Sequence, residues 1–329
     1  MQIGRRAKMH LVTRQETESS LPDSPELIAI GEPMFEFNRP RGESLWREGI
    51  GGDTSNTAVA AARCGVKTGY FTALGADLFG DAIRAKWQDE GVDASLVRTD
   101  PQAATGVYFV THGDDGHEFA YLRSGSAASC VGPDDLPRAA LAKARILHVS
   151  GISQAISPSA SDAIFAAIDC VKDAGGMVSY DTNLRLKLWP LARARETIHA
   201  AMQRVDIALP GYDDARLLTG LEDADAIADF YLKLGAKVVA LTLGKEGSLV
   251  ATPEERRRIA SIKVEAVDAT GAGDTLDGAF LAEYLATGDA FRSGQFANVA
   301  AALSTRGFGA VAPMPRRAEV LAAMAANGI

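Results

Sequence analysis

The chain has 329 residues, 47% hydrophobic and 23% charged, with a formal net charge of −8. That is ordinary globular composition, and the length allows one large α/β domain or two smaller ones. The acidic balance disfavours nucleic acid as the main partner, and no apolar run of about 18 residues is present to form a membrane-spanning helix.

Cys64, Cys130 and Cys170 are isolated, odd in number and outside C-x-x-C spacing. They read as small buried hydrophobes of a reducing compartment, not as a disulfide or zinc framework. The five histidines show no metal-ligand spacing either. Residues 1–25 are polar and irregular, with Arg5, Arg6 and Lys8 but no apolar stretch after them. A disordered leader or an added extension is expected there, not a secretory signal. Residues 26–329 are expected to form one domain of a soluble cytoplasmic protein.

Leu27-Ile-Ala-Ile30 is a short apolar run ending at Gly31-Glu32-Pro33, the pattern of a buried strand entering a loop. Residues 34–46 alternate around Asn38, Arg39, Pro40 and Gly42, which predicts a solvent-facing hairpin. Gly51-Gly52-Asp53-Thr-Ser-Asn56 then precedes an Ala-rich helix over 58–63 that stops at Gly65. The block is either a loop with a helix cap or a helix start that binds a polyol. A cap needs only one of these polar residues, which favours ligand binding by Gly51, Gly52, Asp53 and Asn56.

Residues 68–73 read as a strand, and Gly75-Ala-Asp77 opens a helix over 79–90 that stops at Gly91. Residues 106–110 and 118–123 alternate on either side of His112-Gly-Asp-Asp-Gly116, a hairpin with strong turn residues. Together with 34–46 it predicts a small sheet apart from the α/β core, a lid over about 34–48 and 104–125. Tyr108, Tyr121 and Arg123 sit on it. Two phenols and a guanidinium suit a hydroxylated, anionic small molecule; the other reading is cross-strand packing with a surface Arg.

From Ala144 onward strands (146–149, 177–180, 207–209, 238–242) alternate with helices (158–174, 192–203, 215–218, 224–234). This predicts an α/β fold: a mainly parallel sheet with helices on both faces and ligands beyond the carboxyl ends of its strands. The polar clusters fall there: Gly151-Ile152, Asp181-Thr-Asn183-Leu-Arg185, Gly244, and residues 271–274. Arg185 follows a strand exit with Asp and Asn beside it, which favours a substrate or phosphate contact over a plain surface charge. Thr242-Leu-Gly244-Lys-Glu-Gly247 reads as strand, glycine turn, strand, either a nucleotide cradle or a mere hairpin.

The last cluster carries the most chemistry. A β-type segment over 263–267 runs into Asp268-Ala-Thr270-Gly271-Ala272-Gly273-Asp274, followed by a helical pattern through Leu276, Ala279, Phe280 and Tyr284. A helix start leaves N–H groups unpaired and partly positive, and Gly271 and Gly273 let the backbone approach an anion. Asp274 would repel that anion unless it has another task, such as taking a proton from an attacking hydroxyl. The other reading is a glycine turn with an acidic first-turn residue favoured by the helix dipole. The spacing fits neither G-x-x-x-x-G-K-[ST] nor G-x-G-x-x-G, so it is neither a P-loop nor a dinucleotide fingerprint.

Over residues 27–320 the chain resembles the ribokinase-like (PfkB) carbohydrate kinases. The resemblance rests on the Gly51-Gly52-Asp-Thr-Ser-Asn56-Thr-Ala58 block, the Asp268-Ala-Thr-Gly271-Ala-Gly273-Asp274-Thr block and the order of the blocks between them. It implies a central, mainly parallel sheet with a small β-sheet lid, Asp274 as catalytic base, and residues 271–273 as an anion hole for the transferred phosphoryl group. Within the family the resemblance is to the 2-keto-3-deoxygluconate kinases, through Tyr108, Tyr121-Leu-Arg123-Ser-Gly-Ser-Ala, Ser150-Gly151-Ile152 and Asn183-x-Arg185. Those positions would face the sugar acid, and a pair of guanidiniums suits a carboxylate that fructose lacks. Fructokinases also carry D-x-N-x-R-x-x-x-W, so residues 181–189 do not discriminate.

The resemblance further implies ATP bordered by Thr242, Gly244, Gly247, Thr270 and Asn298, with Mg²⁺ and a monovalent cation as an optional further ion. Where many members have N-x-x-E, this chain has Gly211-Tyr-Asp213-Asp214, so Asp214 stands in for the Glu and the Asn is gone. Ala269 also replaces the first of the usual threonines before the glycine turn. The expected activity is phosphorylation of the terminal hydroxyl of 2-keto-3-deoxygluconate; a fructokinase or other sugar kinase is the alternative. A ligand-binding homologue without catalysis is disfavoured by the intact residues 271–274. A homodimer paired through the lid is expected.

Overall fold

The computed structural model describes residues 24–113 and 116–329, and the strands it contains follow directly from the apolar runs. They are β1 (Leu27–Ile30), β2 (Met34–Arg39), β3 (Arg47–Gly51), β4 (Thr68–Phe71), β5 (Ala73–Gly75), β6 (Val92–Asp93), β7 (Arg98–Asp100) and β8 (Val107–Gly113). There follow β9 (Gly116–Leu122), β10 (Ile146–Ser150), β11 (Met177–Asp181), β12 (Ile207–Leu209), β13 (Val238–Thr242), β14 (Ser248–Ala251) and β15 (Arg256–Ile259). The helices are α1 (Asp53–Arg63), α2 (Leu78–Glu90), α3 (Arg138–Leu141), α4 (Gly151–Ala155), α5 (Pro158–Asp173) and α6 (Leu191–Met202). They continue with α7 (Tyr212–Thr219), α8 (Ala224–Leu234), α9 (Ala272–Thr287), α10 (Ala290–Ser304) and α11 (Arg317–Ala326).

Nine strands form the main sheet in the order β15-β14-β13-β12-β11-β10-β1-β4-β6. The run from β13 to β6 is parallel; β14 and β15 extend it antiparallel. Side chains alternate between its faces. Ile28, Leu147, Val178, Ala208 and Val239 pack with α5, α6 and α8 on one side. Leu27, Ala29, Ile146, Ile207 and Ala240 pack with α1, α9 and α10 on the other. Burial on both faces is why these strands read as unbroken apolar runs. From β1 the chain first adds strands on one side, then returns to add β10 through β13 on the other. The crevice beyond the carboxyl ends of β1 and β10 is therefore a topological switch point.

A second, separate sheet, β3-β2-β8-β9, stands where the lid is expected, with β2 and β8 parallel and both hairpins antiparallel. Phe37 stacks on Phe109, with Phe35, Trp46 and Phe79 around them, while Met34, Tyr108 and Val110 cluster separately.

Four expectations change. Residues 263–267 belong to no strand, and the segment bends at Val267. The amides of Val267 and Asp268 donate to the Thr305 carbonyl instead of a sheet neighbour. Helix α1 begins at Asp53, well before the predicted 58, so the whole polar block lies on its first turns. Residues 68–73 divide into β4 and β5, which join different sheets. Cys130 is exposed at the end of a short surface turn and Cys170 is half-buried; only Cys64 is a buried thiol. Residues 1–23 of the expected leader and the two Asp of the 112–116 turn lie outside the described residues. Among the described residues no helix is long and apolar enough to cross a membrane.

Candidate active site

The first turn of α9 holds Asp274, and Gly271 precedes it at φ 74. That left-handed conformation favours glycine, and a Cβ there would come within 2.9 Å of Ala310. No side chain caps α9, and among the described residues the amides of Gly273 and Asp274 find no acceptor. Gly273 faces open space where a Cβ would stand. The partial positive charge of the helix end is thus open to an anion. Ala272 is the first helical residue, its amide held by Ala269 O at 3.1 Å. Thr270 serves the turn itself: its amide and hydroxyl donate to Asp268 Oδ1 at 2.9 and 2.7 Å. Asp268 Oδ2 accepts from the Gly309 amide at 2.9 Å, so this carboxylate fastens the turn to the loop after α10.

Helix α1 supplies the opposite wall. Asn56 Nδ2 donates to Asp274 Oδ2 at 2.7 Å. The two helices approach this closely because α9 has Gly278 at the crossing, where a Cβ would lie 2.6 Å from Ala60 Cβ. Asn183 Nδ2 donates to Asp53 Oδ2 at 3.1 Å, tying α1 to the loop after β11. Asn183 is the only non-glycine residue with positive φ among those described, at 25°. Backbone strain of this kind persists where the surroundings impose it, and it collects at binding sites. Asp53 Oδ1 and Asn56 Oδ1 are buried without partners. They are acceptors that a ligand's hydroxyls can satisfy.

Four carboxylates crowd this pocket. Burial, then the charge of Asp53, pushes Asp274 up to about 7, against the pull of Asn56 and Arg185. Burial, then the neighbouring carboxylates, pushes Asp181 and Asp277 well above the ordinary range. So many buried acids cannot all ionise, and Asp181 and Asp277 stay largely protonated while Asp274 sits near its midpoint at neutral pH. Asp277, one helical turn past Asp274, was not singled out from sequence, because an Asp inside a helical pattern reads as a solvated face.

The small sheet brings the residues expected on the sugar side into line. The strand registers place Glu36, Tyr108 and Tyr121 in one row across β2, β8 and β9. Tyr108 Oη donates to the Glu36 carboxylate, and the Tyr108 and Tyr121 rings stack with centroids 6.1 Å apart. Arg123 lies 5.8 Å from the Tyr121 ring centroid and is already ion-paired with Glu32, just past β1. Glu32 also accepts from Ser126 Oγ; burial pushes its carboxyl up although Arg123 and Ser126 pull it down. Gly51 ends β3 directly against the Tyr108 hydroxyl, where any side chain would overlap it. Gly52, at φ 112, sits against the Glu32 carbonyl and leads into α1. Ile152 is half-buried in α4, whose Gly151 lies against the Thr182 carbonyl at the end of β11. Arg185 is exposed; its Nη1 donates to Leu184 O at 2.9 Å and its charge is felt by Asp274 and Asp214.

On the expected nucleotide side, Thr242 ends β13 and bridges to Gly211. Gly244, at φ 59, and Gly247, at φ 100, shape the turn into β14. Two expected ligand residues have other work. Asn298 is 2% exposed inside α10 and donates to Ile259 O at 2.8 Å, so it anchors β15 and has no free face for adenine. Asp214 Oδ2 accepts the Leu184 amide at 2.8 Å and holds the loop that carries Asn183 and Arg185. Among the described residues no group of 3 His, Cys, Asp or Glu is placed to hold a metal ion. The donor set at Asp214 does not fit a protein-held Mg²⁺.

Comparison with known proteins agrees with this geometry. The pfkB family carbohydrate kinase model matches residues 25–317. A 2-dehydro-3-deoxygluconokinase of Thermoproteus tenax is 34% identical over 307 residues, 90% of this chain and 93% of that protein. The probable fructokinase-4 of Arabidopsis thaliana is 32% identical over 319 residues, 92% of this chain and 97% of its own. The crystal structure of a putative ribokinase II from E. coli in complex with ATP and Mg²⁺ superposes with a TM-score of 0.85 at 27% identity. It covers 92% of this chain and 99% of the E. coli chain. With its switch-point crevice, its lid and an uncapped helix start beside a carboxylate, the chain belongs to the pfkB family of carbohydrate kinases.

Proposed function

We propose that this kinase uses ATP to phosphorylate the terminal hydroxyl of 2-keto-3-deoxygluconate, also called 2-dehydro-3-deoxygluconate, giving the 6-phosphate. The kinase chemistry rests on the open amides of Gly273 and Asp274 beside a carboxylate poised near neutrality. The terminal hydroxyl gives its proton to Asp274 as its oxygen bonds to the γ-phosphorus. The bond from that phosphorus to the bridging oxygen breaks, ADP leaves, and the helix-end amides offset the charge on the transferring group. The lid excludes water that would otherwise take the phosphoryl group. A divalent ion would arrive on the nucleotide's own oxygens, since the described residues offer it no cluster of ligating side chains.

One observation carries the sugar-acid reading. Arg123, Tyr121 and Tyr108 run in contact along the lid, the Asp274 carboxylate acts on the Tyr108 phenol, and Arg185 acts on Asp274. Two guanidiniums therefore flank a pocket otherwise lined by carboxylates, which suits an anionic sugar better than a neutral one. A neutral hexose is the second reading, favoured by the Glu32 carboxylate that already offsets Arg123. Release of ADP should be measured with 2-keto-3-deoxygluconate, fructose, ribose and adenosine. The sugar acid is expected to give the highest kcat/KM; preference for fructose would replace this reading with the second.

A further inference from the structure

Tyr108 is 7% exposed and Glu36 is 6% exposed, and they face each other across paired strands. The Tyr108 phenol is held protonated: burial, and the adjacent Glu36 carboxylate, push it well above its ordinary range. Its one proton is therefore donated to Glu36. A phenol that has given its proton away keeps only lone pairs for anything else it meets. The oxygen lies against Gly51, which leads into the polar block of α1, and the Asp274 carboxylate adds to the upward push on the phenol.

We infer that Glu36 is a positioning residue that sets hydrogen-bond polarity on the lid side of the sugar pocket, so that toward the sugar Tyr108 accepts and never donates. The substrate must accordingly bring a hydroxyl proton to Tyr108, and its carboxylate is turned elsewhere, toward the guanidiniums. This deepens the sugar-kinase reading and rests on it only for the identity of the pocket.

The surroundings of Glu36 make the polarity reversible by one atom. Asn38 Nδ2 donates to Glu36 Oε1 at 3.2 Å, and His112 Nε2 lies 2.8 Å from Asn38 Oδ1, which orients that amide. In Glu36→Gln the Gln oxygen stays with Asn38, and its NH₂ replaces the carboxylate oxygen opposite Tyr108. The Gln then donates to Tyr108, whose proton swings toward the substrate.

The test uses the full chain with the sugar it turns over best, and with that sugar's monodeoxy and monodeoxyfluoro analogues at each hydroxyl. Fluorine accepts weakly but cannot donate. In the wild type one deoxy position should raise KM about tenfold or more, because a site built for a hydroxyl rejects its absence, and fluorine there should not restore binding. Glu36→Gln should raise KM for the parent sugar about tenfold with little change in kcat, and should now prefer the fluoro over the deoxy analogue at that same position. Tyr108→Phe should level all three. Restoration by fluorine in the wild type would overturn the inference, and so would an unchanged analogue ranking in Glu36→Gln. If Glu36→Gln does not fold, the wild-type and Tyr108→Phe rankings still decide. If no sugar acid is a substrate, the substrate reading fails while the same series, built on the accepted sugar, still tests Tyr108.

Discussion

The two ends of the pocket are built on opposite plans. At the start of α9, polar groups are left open among the described residues: two amides without acceptors, and a carboxylate whose side-chain hydrogen bond is from Asn56. Under the lid, the ligand-facing groups are satisfied in advance, Tyr108 by Glu36 and Arg123 by Glu32. Groups kept open at a dry site stabilise charge that develops during reaction, because they need no reorganisation. Groups already paired fix orientation and polarity, and so discriminate between ligands. Chemistry and selectivity are thus separated along one crevice.

That contrast breaks most readily at Asp274. Asp274→Asn keeps an acceptor for Asn56 but cannot take a proton, and turnover should fall about a thousandfold while nucleotide binding persists. A kcat within a few-fold of wild type would remove the base from the site. Next in size is Gly271→Ala, which places a Cβ at φ 74 and against Ala310. Strain of about 1–2 kcal/mol and a shifted helix start should lower kcat roughly ten- to a hundredfold, read from steady-state rates beside an intact melting transition.

The smallest effects sharpen the electrostatics. Asp274 must be ionised to act, so kcat/KM should decline below pH 7, by about tenfold per unit well below it. Its folded-state value of about 7 lies above the ordinary 3.8, so folding favours the protonated form. That contribution to stability is full below pH 4 and is lost as pH rises through 7. Asp274→Asn should therefore melt a few degrees higher than wild type at pH 8, with the gap closing toward pH 4. An equal melting temperature at both pH values would show that burial does not strain this carboxylate.

Much of the fold and of the α9 end was legible in the sequence. Parallel strands buried on both faces write unbroken apolar runs, and a glycine at φ 74 beside an acid leaves a local signature at residues 271–274. The lid end was half legible. Tyr108, Tyr121 and Arg123 were visible, but Glu32 and Glu36 were not, since a Glu near a strand end usually faces solvent and only tertiary packing buries it. Residues 263–267 misled because an apolar alternation looks the same whether or not its amides pair with a strand; here the segment ends with the Val267 and Asp268 amides on the Thr305 carbonyl. Asn298 misled in the opposite sense: the resemblance put it beside the nucleotide, but it is buried in α10 and its amide serves Ile259.

Gly278 has a consequence for regiochemistry. The distance from the proposed polyol-binding turn of α1 to the proposed base on α9 is set by two helices touching backbone to backbone, not by any loop or by the lid. On the proposed reading, which hydroxyl receives the phosphate is decided in the rigid core. Which sugar is admitted would then be decided in a separate four-stranded sheet. A scaffold divided in this way can diversify its substrates while keeping the position of phosphorylation fixed.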